Sequence, residues 1–448
     1  MLELLRSELN APGHEPVLIQ LAVAAEGATA LLAGLGGMLR TATAEDPRLK
    51  GQVVEVPAGT AADRAADWLA DEARATPDRQ CRYLNGCRHV RHWRELGHQA
   101  DGHGWKEGGV YLITGGTGGL GRLVAEDIAR FARGAVLVLV GSRPLNPDRT
   151  ELLENLRKHG AVAAYRQVDV TDANAVRRLV AHIREVHGRL DGVIHCAGVL
   201  RDGFIATKSA ADLEAVLAPK VQGVLVLRNA CADIELDRFV LFSSLGAPFG
   251  NPGQADYAAA NGFLDALSET SGGKIRSINW PLWQEGGMSV DGATKEALFR
   301  RMGQRPLGTA AGLRALRQCL ACEEVRFAVA AGDADRIRAF FFEAGSAALS
   351  GEPAGETRTA SLAANQPADS TLEAETGSRL LALFADISGL AEQVIDPNAP
   401  LEDYGIDSLM ITRLNNGLGD IFRRPAEDAV LSLPHAGGRS GLPARSPG

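Results

Sequence analysis

"YLITGGTGGLGRLVAEDIA", residues 111–129, decides how the chain is read. An apolar run of strand type enters a glycine cluster, and a helical pattern leaves it. Gly115, Gly116, Gly118, Gly119 and Gly121 stand between the two. Glycines allow the sharp turn and let backbone N–H groups approach an anion, which the N-terminus of the following helix favours. With Thr114, Thr117 and Leu120 they form a loop of the kind that cradles a dinucleotide pyrophosphate. A flexible turn without a ligand is the alternative.

The pattern continues on both sides of the loop. Strand-like runs "AVLVLVG" (135–141), "VAAYRQVDV" (162–170), "LDGVIHCAG" (190–198), "RFVLFSS" (238–244) and "KIRSINW" (274–280) follow. Helical patterns separate them, one spanning 209–231 without a break. Apolar strands alternating with helices predict an α/β fold, a Rossmann-type doubly wound parallel sheet covered on both faces. The second strand ends in Ser142 and Arg143, where NAD-selective folds often place an acid. Arginine suits a 2′-phosphate, so NADPH is the expected cofactor. Asp169, beside Val170, either reaches the adenine edge or caps the next helix. Cys196, Ala197 and Gly198 are small enough to let a nicotinamide ribose sit close.

Residues 1–105 read as part of a second α/β unit. A helix is expected over 21–42, a strand at 51–56, a helix over 60–75 and a strand around 81–93. Two strands are too few to close a sheet, so the unit reads as a truncated, Rossmann-like subdomain. Residues 345–376, rich in Gly, Ser, Thr, Ala, Pro and Glu, predict a flexible linker. A small helical segment follows.

Composition narrows the function classes. A chain of 448 residues leads one to expect two or three domains. Its net charge of −8 argues against a nucleic-acid or anionic-membrane partner. The sequence has no apolar run near the ~20 residues that span a bilayer. "MLELLRSELN" does not read as a signal peptide, so a cytoplasmic location is the default expectation. "CLAC" at 319–322 has metal-like spacing, but it lies on a helix running into a strand, and buried thiols are expected.

"TGGTGGLG", "HCAG", "FSS" and "YAAAN", in this order, resemble the short-chain dehydrogenase/reductase superfamily. More narrowly they are similar to ketoreductase domains of modular polyketide synthases, over about residues 1–340. The resemblance implies Tyr257 as proton donor, with Ser244 thirteen residues before it, Lys220 and Asn261. Reduction of a ketone leaves charge on oxygen, and a phenol near pKa 10 needs help to supply the proton. An ammonium lowers that value, a hydroxyl steadies the carbonyl oxygen, and Asn261 would fix a helix distortion or a water. Lys220 and Tyr257 would also touch the cofactor. Members giving a D-alcohol usually carry Leu-Asp-Asp, where this chain has Leu200, Arg201 and Asp202. The opposite class usually has Trp where this chain has Phe249, so a D-product is expected, with Asp202 as the stereocontrol residue. Residues 278–288 resemble a segment that covers the substrate.

"GIDSLM" at 405–410 resembles an acyl carrier protein, which implies 4′-phosphopantetheine on Ser408. The expected division is then 1–105, a partial structural subdomain; 106–344, an NADP-binding catalytic subdomain; 345–376, linker; and 377–425, a carrier domain. Residues 426–448 depart from the carrier pattern and read as a frameshifted tail, which would leave the carrier incomplete. The implied activity is reduction of a carrier-bound β-ketoacyl thioester to a β-hydroxyacyl thioester, with other synthase modules as partners. A non-catalytic remnant acting as a cofactor-binding scaffold is the alternative. A free-standing reductase of small ketones fits less well, since it has no use for a carrier.

Overall fold

The computed structural model describes residues 1–343 apart from 12–14, 76–78, 98–103 and 289, together with 381, 382 and 385. The chain divides into two units, Met1–Thr357 and Arg358–Gly448. The expected linker, carrier domain, Ser408 and tail lie outside the described residues, but for 381, 382 and 385, which are helical.

The N-terminal half runs α1 (Leu2–Asn10), β1 (Val17–Ala24), a 3-10 segment (Ala28–Leu35) and α2 (Gly36–Glu45). It continues with β2 (Leu49–Val56), α3 (Ala62–Arg74), β3 (Gln80–Leu84) and β4 (Cys87–Val90). These strands form one sheet in the order β1-β2-β3-β4. Two expectations need correction. Residues 21–24, expected to be helical, belong to β1, which pairs in parallel with β2 from Val17↔Leu49 to Ala24↔Val56. Eight consecutive ladder pairs outweigh the modest helix propensity of two alanines, and helical structure begins only past Gly27, at φ 77°. The strand expected around 81–93 is a hairpin, turned at Asn85 (φ 52°) and Gly86 (φ 78°). An Asn-Gly pair is the strongest short signal for that turn. There are therefore four strands here, not two.

The second half contains β5 (Val110–Thr114), α4 (Gly119–Phe131), β6 (Val136–Gly141), α5 (Pro147–Lys158), β7 (Val162–Gln167) and α6 (Ala173–His187). After these come β8 (Gly192–His195), α7 (Ala210–Leu217), α8 (Gly223–Ala230) and β9 (Arg238–Ser244). The remainder is α9 (Gly246–Phe249), α10 (Ala255–Thr270), β10 (Arg276–Trp280), α11 (Gly292–Met302), α12 (Thr309–Ala321), β11 (Arg326–Ala328) and α13 (Ala334–Arg338). The seven strands are ordered β11-β10-β9-β8-β5-β6-β7, with every pairing parallel. The order reverses beside β5, which leaves a crevice at the carboxyl ends of β5 and β8. Separate apolar clusters fill the two faces, around Ile128, Leu137 and Trp280 on one and Val138, Ile183 and Leu241 on the other. Each fully buried Leu or Ile contributes about 1.5–3 kcal/mol to holding these layers.

The halves meet along α10. A Cβ added at Gly34 would stand 2.4 Å from the Phe263 nitrogen, and one at Gly37 would stand 2.3 Å from the Ala258 carbonyl oxygen. Only hydrogen fits at either place, because backbone meets backbone. Gly37→Ala should therefore lower stability by about 1–3 kcal/mol through overpacking. Gly292→Ala, where an added Cβ meets nothing within 4 Å, should change it by less than about 1 kcal/mol. Urea unfolding of the two variants checks both.

Candidate active site

β5 ends at Thr114, and the chain then turns through Gly115 at φ 63°. A Cβ at Gly115 would reach within 2.9 Å of the Ala197 nitrogen, so the loop needs glycine for both conformation and space. Gly118 stands at the start of α4, and Gly119 is pressed against the backbone of Gly286 and Gly287. The segment resembling a substrate cover therefore lies directly on the glycine loop. Beside it a cleft of about 460 Å³ is lined by Thr117, Gly118, Gly119, Arg122, Leu123, Glu126 and Glu285. Gly116, Leu120 and Gly121 pack inward: a Cβ at Gly121 would strike the Gly115 carbonyl oxygen at 2.3 Å. Loop, cleft and helix N-terminus suit a pyrophosphate.

Ser142 and Arg143 follow β6 and are both exposed. Asp169 is exposed too, and its Oδ1 accepts hydrogen bonds from the backbone and hydroxyl of Thr171 at 2.9 and 2.8 Å. The cap of α6 is Asp172, so the capping alternative for Asp169 is set aside. Val170 is buried under Gly223. The Cys196 amide bonds the Thr114 carbonyl, and a Cβ at Gly198 would touch Lys220 Cε at 2.9 Å. The expected small residues thus make room for the lysine itself. His195 is fully buried, with Nδ1 2.7 Å from the Thr114 hydroxyl. Burial pushes its pKa down to about 3, so the ring is neutral.

The single helix expected over 209–231 is broken. Between α7 and α8 the chain makes a π-helical turn, Ala218–Gln222, with Pro219 inside it. Proline removes a donor and crowds the preceding turn, which the wider turn accommodates. Lys220 sits on that turn, 3% exposed. Its Nζ donates to the Phe242 carbonyl at 2.8 Å and lies 5.5 Å from the centre of the Tyr257 ring. Burial lowers the ammonium to about 8. Tyr257, near the start of α10, is half-buried, and desolvation raises its phenol to about 12. Asn261, one turn on, donates from Nδ2 to the Tyr257 carbonyl at 2.8 Å, while its buried Oδ1 has no protein partner. Ser244 closes β9, and its Oγ accepts from the Gly246 amide at 3.1 Å. Asp202 takes two hydrogen bonds from Gln254 Nε2, at 3.1 and 3.2 Å.

Two charged residues the sequence did not single out support this group. Lys208 Nζ and Asp256 Oδ2 are 2.7 Å apart, with both side chains 1% exposed. Asp256 Oδ1 also accepts from the Tyr257 amide at 2.8 Å. Forty-eight residues separate the pair, so no local pattern could reveal it. Among the described residues no group of His, Cys, Asp and Glu could hold a metal ion, and no helix is long and apolar enough to cross a membrane.

A parallel sheet in this order, with a glycine loop after its first strand and a lysine buried beside a tyrosine, defines a Rossmann-type reductase architecture. The family model described as a KR domain matches residues 109–285, and one described as a phosphopantetheine attachment site matches 378–434. Polyketide synthase PksL of Bacillus subtilis is 38% identical over 432 residues, covering 92% of this chain and 9% of that protein. Polyketide synthase PksN of the same organism is 37% identical over 419 residues, 91% of this chain and 8% of that one. The crystal structure of a ketoreductase domain from the bacillaene assembly line is 37% identical with a TM-score of 0.72, covering 76% of this chain and 84% of that one. An A-type ketoreductase from a modular polyketide synthase is 29% identical with a TM-score of 0.67, covering 78% of this chain and 78% of that one. The chain belongs to the polyketide synthase ketoreductases and carries a phosphopantetheine-attachment domain; it spans less than a tenth of the length of the curated relatives named here.

Removing one member of a buried ion pair strands the other charge. Lys208→Met should cost about 3–5 kcal/mol, and Lys208→Met with Asp256→Leu substantially less. Urea denaturation of both variants measures the difference.

Proposed function

We propose that the chain reduces a β-ketoacyl thioester, held on a carrier protein, to a β-hydroxyacyl thioester with NADPH. The observation that carries this reading is the buried Lys220 ammonium beside the Tyr257 ring, at the carboxyl edge of the sheet that bears the glycine loop. The division into a structural subdomain at 1–105, a catalytic subdomain at 106–344, a linker at 345–376 and a carrier domain from 377 belongs to the same proposal.

Residues Thr114–Gly121 would receive the pyrophosphate, Ser142 and Arg143 the 2′-phosphate, and Asp169 with Val170 the adenine side. Cys196, Ala197 and Gly198 would border the nicotinamide ribose. When bound, the cofactor supplies the hydride. Tyr257 gives its phenolic proton to the ketone oxygen as charge develops there, and Ser244 steadies that oxygen with a hydrogen bond. At about 12 the phenol is fully protonated at neutral pH, so the donor is always loaded. Lys220, charged below about 8, favours the phenolate left behind. Asn261, joined to the Tyr257 carbonyl, holds the first turn of α10, and its free Oδ1 suits a water on the proton path. Asp202 is the residue proposed to bias the product toward the D-alcohol. Ser408 is the proposed phosphopantetheine attachment point, and tethering through the linker raises the local substrate concentration at the reductase.

The test is NADPH oxidation followed at 340 nm with a β-ketoacyl N-acetylcysteamine thioester. Tyr257→Phe should lower kcat about 10²- to 10⁴-fold while a fluorescence titration shows NADPH still bound. Equal turnover by the two proteins rejects the assignment. In the wild type, kcat/KM should fall as pH rises through about 8, because the lysine loses its charge there while the phenol stays protonated. A pH–rate profile flat from 7 to 9.5 would rule out that role for Lys220.

A further inference from the structure

Helix α2, in the N-terminal half, runs along the loop that leads into Tyr257. Arg40 Nε donates to the Ala247 carbonyl at 3.0 Å, and the Thr41 hydroxyl accepts from the Asn251 amide at 3.2 Å. The last residue of the helix, Glu45, does more. Its Oε1 accepts from the Gly253 amide at 2.9 Å, and its Oε2 accepts from the Ile205 amide at 2.9 Å. One carboxylate therefore grips two loops that are remote in sequence. The first loop carries Asp202, and the second carries Gln254 and leads to Tyr257. The loops are also joined directly, by the Gly203 amide on the Gly253 carbonyl at 2.8 Å and by Gln254 on Asp202. Lys208, paired with Asp256, donates to the Arg201 carbonyl at the root of the first loop.

Glu45 is half-buried. Burial raises its carboxyl to about 7 against the pull of the two amides and of Lys208, with Asp256 adding to the rise. A desolvated acceptor serving two amides from different loops is a costly arrangement unless both amides need fixing. Arg48 binds the neighbouring Asp46 instead, so the grip is particular to Glu45.

We infer that Glu45 is a positioning residue for stereochemistry: by holding the Ile205 and Gly253 amides on one carboxylate, it sets the placement of Asp202 and Gln254 against Tyr257, and so the face of the ketone that is reduced. The inference rests on the proposed reductase activity. It adds to that reading a residue from the N-terminal half that touches neither cofactor nor substrate.

The experiment compares the wild type with Glu45→Gln, Glu45→Ala and Asp46→Asn on a β-ketoacyl N-acetylcysteamine thioester, with products separated by chiral chromatography. Gln keeps one acceptor and sets an NH2 group against the other amide; Ala removes both acceptors. The ratio of alcohol configurations should fall on the order of tenfold in Glu45→Gln and further in Glu45→Ala. NADPH affinity should stay within about twofold of wild type, and Asp46→Asn should keep the wild-type ratio. A lower kcat with an unchanged ratio in Glu45→Gln overturns the inference, since general loosening of the fold would produce that. So does an equal change in Asp46→Asn. Should Glu45→Ala fail to fold, Glu45→Gln decides alone. Absence of turnover in the wild type overturns the reductase reading and this inference together, whereas wild-type turnover with an indifferent Glu45 overturns only the inference.

Discussion

Helix α10 is enclosed almost from end to end. From Ala255 to Ser268 only Tyr257 and Phe263 escape full burial. The sheet packs on one side of it and the N-terminal half on the other. An enclosed helix can accept neighbouring backbones only where its own side chains are small. That accounts for the run "AAANG" at 258–262, where Gly262 meets Gly34 and Ala258 meets Gly37. The same enclosure fixes the direction in which Tyr257 leaves the helix. It also ties the N-terminal half to the candidate site, since Thr41 and Glu45 anchor the loop from which α10 starts and Arg40 bonds α9 just before it.

Burial sets the electrostatics as well. Lys220, Tyr257 and His195 are all moved toward their neutral forms, the lysine down to about 8, the tyrosine up to about 12 and the histidine down to about 3. The sequence led us to expect Lys220 to lower the phenol. In the structure desolvation prevails, and the ammonium lies over the ring face and donates to the Phe242 carbonyl. A phenol that stays protonated beside a cation present below about pH 8 suits the proposed reduction at neutral pH. The buried Lys208–Asp256 pair stands apart from this group. It meets the Tyr257 amide, and so fixes backbone rather than chemistry.

Much of this was legible in the residues. Glycines 115 to 121 between a strand and a helix gave the crevice, and the alternation after them gave the parallel sheet, because both are local patterns with fixed periods. Tyr257 and Asn261 were readable as neighbours, since four residues make one helical turn. The π-helical turn under Lys220 was less visible: its only trace is Pro219 inside an otherwise helical run. Strand β1 was misread because "LAVAA" is compatible with either state until a partner strand is supplied.

By itself, then, the sequence determined most of the elements of the parallel sheet, the glycine loop after its first strand and the candidate side chains proposed for the reaction, all of which depend on neighbours within a few positions. Tertiary structure alone decided which remote groups share a site. Lys208 finds Asp256, and Glu45 finds Ile205 and Gly253 some 160 and 208 positions away. Such pairs are chosen by which backbones approach closely enough to exclude water, and that is a property of the packed layers rather than of any stretch of chain.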